Sequence, residues 1–149
     1  METMQTYARY VEWLSVDEMH IGSKEWLSQL EFVKDEHLFF EDLIKSYTLQ
    51  LIQSEEFAHN KKIIDAINKS QKRNHLLIEA VRVHENKLLI LVDGIDQPKE
   101  EEAYKKEHRG LIIKISEFLK NYRSLKMQLF DIIKNIKKEE KRGRLIDKI

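Results

Sequence analysis

The amino-acid sequence predicts an all-α protein: an up-down-up antiparallel bundle of three long helices. Only four Gly and one Pro occur in 149 residues, and 35% of the side chains are charged, a composition that favours long helices over sheets. Apolar side chains also recur at alternating steps of four and three residues in three separate segments. This spacing is typical of helices packed lengthwise against one another. The chain has the length of one ordinary domain, so we expect residues 1–149 to form a single helical-bundle domain.

Composition also narrows the function. The 26 basic and 26 acidic residues balance, so no net charge attracts the chain to nucleic acid or to an anionic membrane. Cysteine is absent, which excludes disulfides, thiolate catalysis and cysteine-ligated metal sites. Neither a secretory signal nor an apolar run of membrane-spanning length is visible. We therefore expect a cytoplasmic protein without a membrane partner, in which nucleic-acid binding would need a local basic patch.

The first segment, residues 1–14, is an aromatic-rich arm that includes Tyr7, Tyr10 and Trp13. It has two interpretations. The arm could pack over the bundle or over a second subunit, as apolar side chains usually do. Alternatively, it could be a docking peptide for a partner.

Helix 1 is predicted over residues 16–52. Ser15 and Glu18 have the spacing of a capping box, which marks a helix start. The apolar seam that follows consists of Trp26, Leu30, Val33, His37, Phe40, Ile44, Tyr47 and Leu51. The end of this helix is weakly marked, because neither Gly nor Pro follows the seam.

Two further helices are predicted over residues 55–93 and 97–141. Ser54 and the glutamates after it suit a helix N-terminus, and Gly94 supplies a stop for the second helix. Pro98 suits the first turn of the third helix. Residues 142–149 are predicted to be a basic tail with a frayed, solvated structure, since mixed-charge helix ends are usually solvated. The alternative is phosphate or RNA binding, although the tail lacks interleaved aromatic residues.

The seams can be aligned with one another. In an antiparallel pair joined by a turn centred on Asp96, a residue of helix 2 lies at the same height as the residue of helix 3 whose number brings the sum to about 192. His84 should therefore face His108. Helix 1 aligns with helix 2 at a sum of about 107, which sets His37 against Ser70. A shift by one heptad, to about 114, remains open because the turn between these helices is weakly marked.

The same alignment suggests one candidate metal site. It brings His84 and His108 to one layer, places His20 about one turn away, and flanks the histidines with Glu85 and Glu107. Bundle proteins hold zinc or iron with imidazoles and carboxylates from several helices. The structural alternative is that these rings bind neighbouring carboxylates and no metal.

A second polar layer is predicted in the middle of the bundle, from His37, Ser70 and Tyr122. His37 and Glu41 also have the spacing that places two side chains on one helix face. The alignment, however, sets His37 against Ser70 and Tyr122. We therefore expect a buried polar layer that fixes the register of the helices.

Function is predicted only in outline. Beside the seams lie apolar residues that three helices alone would leave exposed, so we expect either the arm or a homodimer partner to complete the bundle. These flanking residues are Leu27, Leu38, Phe39, Leu43, Ile64, Ile78, Ile112, Ile113 and Leu119. The leading hypothesis is a non-enzymatic module for self-association or partner docking, without a cofactor. The alternative is a small zinc- or iron-binding bundle that acts as a sensor or redox protein.

Overall fold

The computed structural model describes residues 11–93 and 98–147. These residues form one short 3-10 helix and four α-helices, and no strand occurs among them. The 3-10 helix is Val11–Trp13, and the α-helices are α1 (Val16–Ser46), α2 (Thr48–Gln53), α3 (Phe57–Asp93) and α4 (Pro98–Asp147). The all-α prediction is confirmed.

Helix α1 begins at Val16, where the sequence places it. Ser15 Oγ accepts a hydrogen bond from the backbone N–H of Glu18 at 3.1 Å, and its hydroxyl donates to Glu18 Oε1 at 3.1 Å. Asp17 and Glu18 also put negative charge at the positive end of the helix dipole. The start of α1 is therefore fixed by both hydrogen bonding and charge.

The helix predicted over residues 16–52 is interrupted at Tyr47, which has φ −110° and ψ 16°. The hydroxyls on both sides compete for the carbonyl groups of the last turn. Ser46 Oγ donates to the Asp42 carbonyl at 3.0 Å, and Thr48 Oγ1 donates to the Ile44 carbonyl at 3.0 Å. Such bonds weaken a helix locally, so one long helix becomes α1 followed by the short α2.

The other helix bounds also differ from the predicted ones. Helix α3 begins at Phe57 because Ser54 is extended and its Oγ accepts the N–H of Glu56 at 3.1 Å, which makes residues 54–56 a turn. Helix α4 extends beyond residue 141 to Asp147, since a single Gly143 weakens a helix by only about 1 kcal/mol. The predicted turn at Asp96 lies outside the described residues.

The N-terminal arm can be followed from Val11. Val11 is completely buried and Leu14 packs against the core, whereas the Trp13 side chain is 76% exposed. The 3-10 helix lies against α4. The described end of the arm thus covers the core and also presents an aromatic ring to solvent. The rest of the arm, residues 1–10, lies outside the described residues.

The three long helices pack against one another, and two polar contacts give their relative levels. His37 Nε2 of α1 lies 3.1 Å from Ser70 Oγ of α3. His84 Nε2 of α3 lies 2.9 Å from His108 Nδ1 of α4. The first contact fits the alignment with a sum of about 107, since a shift by one heptad would set His37 against Leu77. The second contact fits the sum of about 192.

The hydrophobic core contains residues of the predicted seams and also residues beside them. Its most deeply buried apolar side chains are Met19, Leu30, Phe40, Ile78, Val81, Ile112, Ile115 and Leu129. Ile78 and Ile112 were expected on the exposed flank, and that expectation is wrong for both. Each helix packs against two others, so its buried face must be broader than a two-helix seam. Leu38, Phe39 and Ile113 are exposed as expected.

Within residues 11–93 and 98–147, no helix contains an apolar stretch long enough to cross a bilayer.

We expect Leu30→Ala to lower the free energy of unfolding by about 2 to 5 kcal/mol, because the Leu30 side chain is completely buried and its loss leaves a cavity. Urea denaturation measures the change. Leu38→Ala makes the same substitution on the same helix at a half-exposed position and should cost much less. Equal losses for the two variants would contradict this packing of α1.

Candidate functional site

Two buried imidazoles form the centre of the candidate site. His84 on α3 and His108 on α4 have 0% exposure, and their facing nitrogens, His84 Nε2 and His108 Nδ1, are 2.9 Å apart. Both residues occupy seam positions, so the helical spacing itself directs them into the interior. One imidazole must donate a proton to this contact and the other must accept it.

Glu107 determines the direction of that hydrogen bond. Its Oε1 lies 2.7 Å from His84 Nδ1, and its Oε2 accepts a hydrogen bond from Lys87 Nζ at 2.7 Å. A carboxylate only accepts, so His84 carries its proton on Nδ1 and accepts on Nε2 from His108 Nδ1–H. The three side chains form one chain of hydrogen bonds, which ends at His108 Nε2. This last atom is buried without a protein partner.

Charge in the cluster is held on the carboxylate. Burial acts to raise the pKa of Glu107, but the hydrogen bonds from Lys87 and His84 outweigh it and leave that pKa below the usual value. Burial lowers the pKa of His84, although the charge of Glu107 opposes the change. Burial, together with the neighbouring His84, lowers the pKa of His108 to about 4. At neutral pH both imidazoles are therefore uncharged.

Aromatic rings enclose the histidine pair. The Tyr104 ring stacks on His84 with centroids 4.0 Å apart and planes 7° apart, and the Trp26 ring lies 4.6 Å from His108. These contacts hold both imidazole planes in fixed orientations. Because both imidazoles are fully covered, the cluster has the character of a structural hydrogen-bond network, and neither histidine offers a nitrogen to a dissolved substrate.

A second imidazole–carboxylate pair lies beside the pair formed by His84 and Glu107. His20 Nδ1 on α1 is 2.7 Å from Glu85 Oε2 on α3, while Glu85 Oε1, Ser23 Oγ and the Tyr104 hydroxyl are buried without a hydrogen-bond partner. Burial raises the pKa of Tyr104, and the negative charge of Glu85 adds to this effect. This pair links α1 to α3 at the same end of the bundle.

The five residues predicted to bind a metal are thus arranged as one chain of three, Glu107–His84–His108, and one separate pair, His20–Glu85. His84 uses one nitrogen for Glu107 and the other for His108, and His20 uses Nδ1 for Glu85. Within the described ranges, 11–93 and 98–147, no group of three or more His, Asp or Glu residues is arranged to hold a metal ion. The metal centre stays a prediction from the sequence, without support from this geometry.

The middle polar layer brings together the residues that the sequence singles out. His37 Nε2 lies 3.1 Å from Ser70 Oγ, and the His37 and Tyr122 rings have centroids 5.0 Å apart. All three residues are buried. Burial lowers the pKa of His37, and His37 Nδ1 has no protein partner. The layer therefore contains a neutral imidazole that is only half satisfied.

Glu36 is a member of this layer that sequence reasoning missed. Its Oε1 accepts the Tyr122 hydroxyl at 2.9 Å, and its Oε2 accepts Lys126 Nζ at 2.6 Å. Glu36 lies beside the seam, where charged residues usually face solvent. The spacing of Tyr122 and Lys126, one helical turn apart on α4, is the sequence signal that could have pointed to a carboxylate opposite them.

Comparisons with known protein families, with curated proteins and with solved structures find no match for this chain.

The three buried histidines should make stability depend on pH. Unfolded histidines bind protons below about pH 6.5, whereas burial keeps His37, His84 and His108 neutral to lower pH. Between about pH 6.5 and pH 4 the unfolded chain therefore binds more protons than the folded chain. The free energy of unfolding is highest above about pH 6.5 and decreases as the pH falls towards 4. His108 alone contributes about 3 kcal/mol to that loss.

Urea denaturation at a series of pH values measures this dependence. His108→Gln removes one titrating group and should flatten the curve relative to the unmodified chain. His75→Gln, at an exposed position, should leave the slope unchanged. A free energy of unfolding that stays constant from neutral pH to about pH 4 would show that the imidazoles are not buried as described.

The middle layer can be tested with a double substitution. His37→Leu alone leaves Ser70 Oγ without its partner and should be less stable than His37→Leu combined with Ser70→Ala. Removing both partners of a buried hydrogen bond is nearly neutral or stabilising, because no polar group remains unsatisfied. Thermal unfolding of the two variants gives the comparison. Should the double variant be the less stable one, the hydrogen bond would contribute more than its desolvation costs.

Proposed function

We propose that this protein is a non-enzymatic helical module that associates with a second copy of itself. One observation carries the proposal: large apolar side chains are exposed on every long helix. Those on the three long helices are Ile21, Phe32, Leu38, Phe39, Phe57, Leu76, Val83, Leu89, Ile90, Ile113, Met127 and Phe130, each at least 40% exposed. Contiguous apolar surface on a protein usually marks a site of association.

The accessible surface supports the same proposal. The chain exposes 10637 Å², whereas a compact monomer of 17.9 kDa is expected to expose about 8,000 Å². Three long helices laid side by side have a narrow core, so each helix keeps a flank that no other helix covers. A second copy would bury part of this excess, since obligate dimer interfaces resemble a core divided in two.

The helix order is part of the proposal. We propose the up-down-up antiparallel arrangement because partner numbers fall along α3 as they rise along α1. His20 contacts Glu85, and His37 contacts Ser70. A rigid arrangement of this kind would present the exposed side chains at fixed positions. The cytoplasmic location expected from the sequence also stays within the proposal.

The buried histidine cluster fits a structural role better than a catalytic one. Its imidazoles are uncharged and enclosed by Tyr104 and Trp26, whereas a general base must reach the proton that it removes. A buried polar network can instead specify one register among several that the apolar seams would allow. We propose that the cluster serves this purpose, so that the association surface has a single form.

Sedimentation velocity over micromolar to millimolar concentrations tests the proposal. We expect a species of twice 17.9 kDa whose fraction rises with concentration. A mass of 17.9 kDa at every concentration would overturn self-association. Asn135→Lys, at an exposed polar position of α4, is the solubility control: the added charge should disperse a non-specific aggregate and leave a specific dimer unchanged.

A further inference from the structure

One face of α3 carries an apolar stripe with internal symmetry. Leu76, Val83 and Ile90 follow one another at intervals of seven residues and are 68%, 52% and 67% exposed. Intervals of seven keep side chains on one face of a helix. Leu76 and Ile90 lie at equal distances in sequence from Val83, so a two-fold axis at Val83 would set Leu76 of one copy against Ile90 of the other.

Small residues of α4 lie beside this stripe. Ala103 lines a groove of about 300 Å³ together with Ile90 and Lys87, and Gly110 follows Ala103 by seven residues on the same face. A Cβ placed on Gly110 would meet nothing within 4 Å. A Gly inside a helix costs about 1 kcal/mol relative to Ala, and no contact within the described chain requires it. Gly110 thus leaves room for a neighbouring helix to approach closely.

Unpaired charges of opposite sign lie at different heights between α3 and α4. Lys69 and Arg73 line a second pocket, of about 180 Å³, with Asn121, and Glu100 lines the groove of about 300 Å³. Among the residues that the structure describes, none of these three charged side chains forms an ion pair. The two-fold axis at Val83 would bring the basic residues of one copy towards the acidic residue of the other.

We infer that the groove between α3 and α4 is the surface on which a second copy of this chain docks, with the two α3 helices antiparallel and crossing at Val83. The inference rests on the proposed self-association and assigns it to one face. The apolar stripe supplies the buried area, and the opposite charges at different heights set the direction, since complementary charges favour one orientation over the other.

A second exposed apolar face is the natural comparison. Phe32 and Phe39 of α1 lie on one helix face and are 62% and 56% exposed. The charged groups beside them, Glu36 and Lys126, already pair with each other at 2.6 Å. This face provides matched control positions, because Phe32 and Phe39 are exposed to an extent similar to that of the three residues of the α3 stripe.

Charge substitutions separate the two faces. Val83→Lys would place two ammonium groups at the proposed axis, so the dissociation constant should rise by at least roughly tenfold. Phe32→Lys adds the same charge at an exposed position of α1 and should leave the dissociation constant unchanged. Arg73→Glu and Glu100→Arg should each weaken association, and the two together should restore it. Far-UV circular dichroism shows whether each variant keeps its helices.

Engineered cysteines test the orientation directly, because the chain has none of its own. Under oxidation, Val83→Cys should form a covalent dimer, since the two sulfur atoms would meet at the axis. Leu76→Cys mixed with Ile90→Cys should cross-link between the two variants, whereas Leu76→Cys alone should not. Phe32→Cys is the control and should stay uncross-linked.

The outcomes distinguish a failure of self-association from a failure to assign it to the correct face. If the unmodified chain is a monomer at every concentration, self-association itself fails. If it dimerises and Phe32→Lys weakens the dimer as much as Val83→Lys or more, self-association stands and the α3–α4 groove is the wrong face. If Leu76→Cys cross-links with itself, the copies are parallel and the inference also fails.

Discussion

The hydrogen bond between the buried imidazoles of His84 and His108 is the contact that fixes α3 against α4. Apolar seams are permissive, because a slide by one heptad replaces one Leu, Ile or Val by another at modest cost. The same slide would separate the imidazoles and leave both buried nitrogens unsatisfied, at about 1 to 3 kcal/mol for each group. Glu107 strengthens the constraint by fixing which nitrogen of His84 carries the proton. The polar pair therefore selects one register from several of similar apolar content.

Polar contacts act in the same way between α1 and α3. Asn74 Nδ2 donates to the carbonyl oxygen of Leu30 at 3.0 Å, at a level between the His20–Glu85 pair and the His37–Ser70 pair. Each contact requires its own partner at its own height, so all three are satisfied together in one alignment only. A core specified in this way holds the outer faces of the helices in fixed relation to one another.

The sequence predicted the helices and their relative heights because both follow from apolar periodicity, which depends on local spacing. It misplaced helix ends wherever short-range hydrogen bonds decided them, as at Ser46 and Thr48, whose hydroxyls take backbone carbonyls. The predicted site residues do come together in space. Their partners were harder to foresee, since Glu36 lies beside the seam and its role depends on where the Tyr122 hydroxyl points. Spacing within one helix gives the face on which a residue lies, whereas the point that the Tyr122 hydroxyl reaches depends on contacts with the neighbouring helix.

Helix α4 continues about 16 Å past Ile136, the last buried side chain among residues 98–144. A hydrogen bond from Gln50 to Glu140 at 2.8 Å is the support that α2 gives this end. A helix end with so little tertiary contact opens readily in water, and the exposed side chains there include Lys137, Lys141 and Arg142. A protease that cuts after basic residues should therefore cut here before it reaches the packed part of α4, and a cut after Lys137 leaves the buried residues up to Ile136 in place.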